Sequence, residues 1–524
     1  DDDLPRWEGE LYLELHRGTY TTHALVKKRN RKLEFSLRAL EMLNASGELS
    51  DYQTEEFDWV WKKVLLNQFH DIIPGSSINS VYKVTHKEYD ECEARLEGIK
   101  QATATLLFDK ADHSAVLFNT LNSDFTGLIE LPAELKGKSL TADSGDVYPS
   151  LEIDGQIFVN LTTKALSYET FLVADATDTT ATKGNDLVLE NELIRYEFNA
   201  AGQLISAFDK EVEREVIPAG KPANLFSLYI DRPNFWDAWD VDKFYMEQKV
   251  ADATASSSES ITVAATTFIK FNYAIGNSTI AQRINLKKGS KRLDFDNKVH
   301  WQEEHKMLRV AFPAAFGPSK ASFDIQFGFA ERSTNSNTSY DMAQFEVCAH
   351  RYADISESNY GMALLNDCKY GYKVRENIID LNLLRAPTYP DADADMGDHQ
   401  FSYSLLPHSG DLVRSNVQIE AEQVNEKPLF FNGYSSGSAA LPILVQGEGV
   451  CLETIKKAEK EDCWILRLVE TKGDTSTVSL EVNGKARLAE TNLIEWEEGE
   501  QISVNGSHKI TLTPFEIRSY KLFF

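Results

Sequence analysis

From about Thr22 to Asp109 apolar residues recur at helical spacing. Val26, Leu33, Leu37 and Leu40 form one stripe, which stops at Asn44-Ala45-Ser46-Gly47. A second stripe starts near Thr54 and runs through Phe57, Trp61, Val64, Leu65 and Phe69 before Pro74-Gly75 breaks it, so its last turn is expected to carry His70 and Asp71. A third begins at Ser76 or Ser77, both suitable N-caps, and continues through Ile78, Tyr82, Tyr89, Cys92, Leu96, Ile99 and Leu106. Amphipathic helices joined by short loops bury their stripes against one another, which predicts a three-helix bundle over residues 22–110.

Beyond Lys110 the period changes. Short apolar alternations such as Ala115-Val116-Leu117-Phe118 and Leu187-Val188-Leu189 are separated by Asn, Asp and Gly at intervals of roughly 8–12 residues, the texture of all-β sandwiches. A small β unit is expected over 111–180, ending in the polar stretch Asp175 to Asn185. A larger β-sandwich follows over 181–428, with strands at Leu193–Phe198 and Leu293–Val299. The last β unit, 429–524, contains the Ser/Gly-rich stretch Gly433 to Ser438 near its start. The length of 524 residues supports this division, because single cores stop growing at roughly 250–300 residues.

Charge narrows the functional classes. Lys and Arg number 54 against 81 Asp and Glu, a net charge of −27, which repels a phosphate backbone and argues against nucleic acid as a partner. A neutral sugar feels little of that field. The basic run Lys27 to Lys32 reads as a solvated helix face. No stretch approaches the ~18 consecutive apolar residues of a membrane span, so no membrane partner is expected. Five scattered cysteines without a CxxC, and no visible signal peptide at Asp1-Asp2-Asp3-Leu4-Pro5, fit a reducing, cytoplasmic location.

The strongest local chemistry lies in Leu66 to Ser77, where His70 adjoins Asp71 before the Pro-Gly break. Imidazole nitrogen is a good zinc ligand and a neighbouring carboxylate can hold sugar hydroxyls, yet one histidine at this spacing is more often a packed or capping residue. The Asp-rich loop Asp391 to His399 has DxD spacing, weak evidence for a bound cation.

Asn67 to Ser77 resembles the segment of glycoside hydrolase family 38 α-mannosidases in which a His-Asp pair supplies a zinc ligand and a substrate contact. Leu4 to Thr22 is similar to the stretch leading from the catalytic domain into the helical bundle. Further similar segments are Asp231 to Asp240, Asn337 to Asp341, Phe345 to Arg351, Leu364 to Gly371 and Leu384 to Thr388; together they resemble the cytosolic branch of the family. The resemblance implies a galactose-mutarotase-like large β domain, His70 as a metal ligand, and Asp71, His16, Tyr20, Trp236, Asp395 and His399 as substrate contacts. It implies a retaining, zinc-dependent α-mannosidase acting on mannose-containing oligosaccharides.

Family members keep the nucleophile, the acid/base carboxyl and an HxD zinc motif in an N-terminal α/β domain. None of the eleven histidines here is followed two positions later by Asp, and residues 1–21 read as a linker from that domain. The chain is therefore expected to be the C-terminal part, partnered by the missing catalytic domain, with no catalytic residue of its own, an empty zinc site and no hydrolysis alone. A non-catalytic carbohydrate-binding or scaffold β-sandwich protein remains the alternative, and self-association into a homo-oligomer is left open.

Overall fold

A computed structural model of the protein describes residues 4–176 and 180–524. Its helical region comprises α1 (Ala24–Asn44), α2 (Thr54–Asn67) and α3 (Asn79–Leu107). The sequence stripes are the buried faces. Val26, Leu33, Leu37 and Leu40 of α1 meet Phe57, Val60 and Val64 of α2 and Tyr82, Tyr89, Cys92, Leu96 and Ile99 of α3. On α1, Ala39, Met42 and Leu43 are buried as well, so this helix is apolar on more than one side and needs more than two partners. The extra partner is the last β unit, since Leu452, Trp464, Leu466, Leu480 and Leu522 belong to the same core. Arg38 of α1 fastens the contact, donating to Glu426 at 3.0 and 3.1 Å and to the Leu452 carbonyl at 2.9 Å.

Two helix boundaries differ from the expected ones. α2 ends at Asn67, and His70 and Asp71 lie on the turn beyond it rather than in its last turn. The Asn67 amide side chain folds back to donate to the Lys63 carbonyl at 2.9 Å, and groups on α1 and α3 take up the polar backbone of the turn. Ser76 and Ser77 do not cap α3, whose N-cap position is Ile78; the Ser77 N–H instead donates to the Tyr82 hydroxyl at 2.8 Å.

Antiparallel sheets make up the rest. Among the described residues they contain seven, four, six, ten and six strands. The strand Leu293–Trp301 shows the usual half-buried alternation, with Leu293, Phe295, Val299 and Trp301 turned into the core. Tyr360–Asn366 lies in the same ten-stranded sheet and is buried on both faces, which removes the alternation. The expected boundary at 428 does not separate the sheets. Leu429–Ser435 pairs with Asp109–Asn119 of the seven-stranded sheet, Leu117 opposite Phe430, because the backbone donors of that strand need a partner which the segment 111–180 does not provide. Of the polar stretch 175–185, Thr177 to Thr179 lie outside the described residues, while Thr182–Gly184 joins the edge of the ten-stranded sheet. Two short helices, α4 (Ser339–Ala343) and α5 (Val417–Asn425), interrupt the β region.

Candidate functional site

The turn between α2 and α3 is held from three sides. Within it the Ile72 N–H donates to the Phe69 carbonyl at 2.8 Å and the Gly75 N–H to the Ile72 carbonyl at 3.0 Å. The buried Lys27 of α1 donates through Nζ to the Ile73 carbonyl at 2.8 Å and also to the Thr22 carbonyl. Burial drives this amine down to about 7, a level at which charged and neutral forms coexist and both can donate twice. Gly75 has φ +91°, and a Cβ there would lie 2.6 Å from the Thr22 oxygen. On this fixed turn His70 and Asp71 project outward, their side chains 79% and 55% exposed and Nε2 3.5 Å from Oδ2.

A loop of the large β domain closes on the start of the bundle. Asp391 accepts from Asn79 Nδ2 and from the Asp393 N–H, both at 3.0 Å, and its other oxygen lies 3.2 Å from His23 Nε2. Burial by itself would raise the Asp391 carboxyl, but the adjacent His23 ring and hydrogen bonds from Asp393 and Asn79 hold it below the ordinary carboxylate value. His23 in turn stacks on Tyr82 with centroids 3.6 Å apart. Asp395 accepts the His23 and Ala24 N–H groups, each at 2.7 Å. A carboxylate from another domain thus caps α1, where the unpaired amides and the helix dipole favour negative charge. His399 donates from Nε2 to the Asp395 carbonyl at 2.8 Å, and burial lowers its proton affinity against the pull of Asp395.

The third component is the meeting of residues 16–22 with 231–240. The Gly18 and Thr19 N–H groups donate to the Trp239 carbonyl at 2.7 and 3.2 Å, and Thr22 Oγ1 donates to the Ala238 carbonyl at 2.9 Å. Arg385, wholly buried, binds Asp231 at 2.7 Å, the carbonyls of Asp237 and Asp240 at 2.9 Å, and Thr22 Oγ1 at 3.1 Å. Trp236 rides on this frame, 58% exposed, in the left-handed region at φ 62° and edge-on to Trp239. His16 is half-buried, its Nδ1 without a hydrogen-bond partner among the described residues, and burial pushes the Tyr20 phenol well above its ordinary value.

The seven residues singled out from sequence therefore share one framework built on Thr22, His23 and Ala24, without forming one contact set. Among the described residues, no hydrogen bond, ion pair or ring contact joins His70 or Asp71 to His16, Tyr20, Trp236, Asp395 or His399. Asp395 is buried as a helix cap with both oxygens engaged, and the DxD loop uses Asp391 in the same structural way. The sequence reading passed over His23 and Arg385 and took Lys27 to Lys32 as a solvated helix face, whereas Lys27, Asn30 and Arg31 are buried because α1 is enclosed on more than one side. The signals of His23, Lys27 and Arg385 were present: a histidine directly before a helix, a lysine in the first turn of the α1 stripe, and an arginine directly after Leu383-Leu384 at the end of the strand Ile378–Arg385.

Among the described residues, no group of three or more His, Cys, Asp or Glu is arranged to hold a metal ion. An exposed imidazole flanked by a carboxylate suits one corner of a zinc site, whose shell needs further donors.

Three family models match in chain order. They are the alpha mannosidase middle domain over residues 14–107, the glycosyl hydrolases family 38 C-terminal domain over 189–393, and the family's C-terminal beta sandwich domain over 449–520. Alpha-mannosidase 2C1 of Mus musculus is 34% identical over 540 residues, covering 99% of this chain and 51% of that protein. Alpha-mannosidase G of Dictyostelium discoideum is 32% identical, covering 99% and 53%. The chain thus spans about half the length of the curated relatives it matches. The crystal structure of an alpha-mannosidase from Enterococcus faecalis superimposes with a TM-score of 0.77 at 16% identity, covering 99% of this chain and 71% of that one, which is a likeness of fold. No described helix is long and apolar enough to cross a membrane. With middle and C-terminal domain models matched in order along it, the chain belongs to glycosyl hydrolase family 38.

Proposed function

We propose that this chain is the C-terminal portion of a cytoplasmic, retaining, zinc-dependent α-mannosidase that removes terminal mannose from oligosaccharides. The observation that carries the reading is the outward-facing His70–Asp71 pair, fixed by Lys27, Gly75 and Tyr82, in a chain 34% identical over its whole length to an alpha-mannosidase. His70 is the ligand this chain offers to zinc, and Asp71 accepts hydrogen bonds from sugar hydroxyls beside it. Zinc, when bound, supplies a template for vicinal hydroxyls of the mannose. The exposed indole of Trp236 offers a stacking face, and His16 and Tyr20 border the same frame. Retention requires two carboxyl groups about 5–5.5 Å apart, which we assign to the part of the longer protein that this chain does not span. Alone, the chain neither holds zinc tightly nor hydrolyses mannosides.

The test mixes this chain with the separately produced remainder of the protein, zinc and an aryl α-mannoside. Turnover that appears only in the mixture, and is abolished by His70→Ala, is the expected result. Binding of mannoside by this chain without turnover in the mixture would replace the reading with that of a carbohydrate-binding scaffold. Turnover by this chain alone would also refute it.

A further inference from the structure

A groove of about 870 Å³ runs between the first turns of α1 and the edges of the strands Thr266–Ile275, Ser278–Leu286, Leu293–Trp301 and Gly397–Ser409. Its lining includes His399 but neither His70 nor Asp71. In a chain of net charge −27, four lysines converge here: Lys28, Lys32, Lys298 and Lys369. Among the described residues none of the four has a carboxylate within ion-pair distance. Lys28 donates to a neutral acceptor, the Gln400 carbonyl, at 2.5 Å, so its charge stays uncompensated. Arg29 pairs with Asp90 at 2.6 Å and Glu93 at 3.2 Å, and His300 lies 2.7 Å from Asp398.

Lys369 is the unusual member. It is 3% exposed, yet among the described residues its ammonium has no hydrogen-bond acceptor and lies over the Phe401 ring, 4.2 Å from the ring centre. A buried cation normally has a counter-charge, because desolvation penalises the unpaired ion heavily. Burial does lower its proton affinity here, with Cys368 and Asp395 pulling the other way. The Asp395 carboxylate is committed to the α1 amides and forms no ion pair with Lys369. Lys369 lines the groove, and its ammonium keeps hydrogen-bonding capacity for a ligand there. Tyr273, Ile280 and Phe401 form an apolar wall beside the lysines, and the volume exceeds that of a bare oxyanion.

We propose that this groove binds a small organic phosphate, its phosphate group on Lys369 and its organic body against Tyr273 and Phe401. Multiple ammonium donors converging from separate elements suit a tetrahedral dianion, and the low-dielectric floor strengthens the contact.

The probes are phenyl phosphate and inorganic phosphate, with phenol as the neutral control, titrated by calorimetry into the chain. Phenyl phosphate should bind more tightly than inorganic phosphate and phenol should not bind. Lys369→Met should weaken binding roughly tenfold or more, the loss of one charged hydrogen bond. Added salt should weaken it further. Should Lys369→Met fail to fold, the double variant Lys32→Ala/Lys298→Ala, at two exposed positions, decides the matter. Lower phosphate affinity in that variant supports the site. Absence of binding, or affinity unchanged in the variants that fold, overturns it.

Discussion

Replacement of Asp395 by Asn tests whether a loop of the β domain holds the helical bundle in place. Asp395 gives one oxygen to the His23 N–H and the other to the Ala24 N–H, each at 2.7 Å. Asn keeps a single acceptor and turns an NH₂ group toward the second amide, so one charge-assisted bond is lost and a buried donor is left unpaired. Such bonds contribute about 1.5–3 kcal/mol. The favourable meeting of a carboxylate with a helix N-terminus adds about 0.3–1 kcal/mol. The summed local loss is about 2–4 kcal/mol, which speeds opening of the first turn by roughly 30- to 800-fold. Amide hydrogen exchange read by mass spectrometry on peptides covering residues 21–28 measures that opening, with Leu293–Trp301 as an internal reference. Faster exchange confined to the α1 start and to the 68–75 turn, which Lys27 ties to Thr22, is the expected pattern. Unchanged exchange at 21–28 refutes the cap.

Three further perturbations address the same framework. Gly75→Ala places a Cβ 2.6 Å from the Thr22 carbonyl at a φ of +91°, a cost of about 1–3 kcal/mol that calorimetry should register as a lower melting temperature; an unchanged melt contradicts the close approach. Arg385→Met strands Asp231 without its cation in the interior and should cost about 3–5 kcal/mol, measured by urea unfolding, whereas a loss below about 1 kcal/mol shows the arginine network to be dispensable. Glu41 is buried beside Trp61, whose Nε1–H donates to it at 2.9 Å, and burial raises its carboxyl from 4.5 to about 7. Between those two values the folded chain holds a proton that the unfolded chain has released. The contribution is therefore complete below pH 4.5 and lost as pH rises through about 7, by up to about 3 kcal/mol. A pH series of melting temperatures should lose that slope in Glu41→Gln, which keeps the acceptor and cannot ionise; an identical slope in both proteins removes Glu41 as its source.

Much of the fold is legible in the chain because the signals are local. Leu33, Leu37 and Leu40 announce α1 by spacing alone, and Leu293 to Val299 announce a strand by alternation. Where the expectation failed, the deciding group came from elsewhere in sequence. The end of α2 at Asn67 depends on Lys27 and Tyr82, and the place of Leu429–Ser435 depends on a strand more than 300 residues earlier. The site shows the same division. His70 and Asp71 stand out as neighbours in sequence, whereas Asp395 looked like a ligand-facing aspartate and proved to be engaged by backbone amides 371 and 372 residues away. No spacing rule reports a hydrogen bond of that range.

By itself the sequence determined the helical stripes, the change to alternating strands, the acidic surface and the His70–Asp71 pair. Each of these follows from the period of the backbone or the chemistry of adjacent side chains. Only the tertiary structure decided that the bundle shares its core with the last sheet, that Asp391 and Asp395 clamp its start, and that four lysines face one groove. Those outcomes rest on desolvation and on the pairing of buried polar groups, and burial is set by which surfaces meet after the chain has folded.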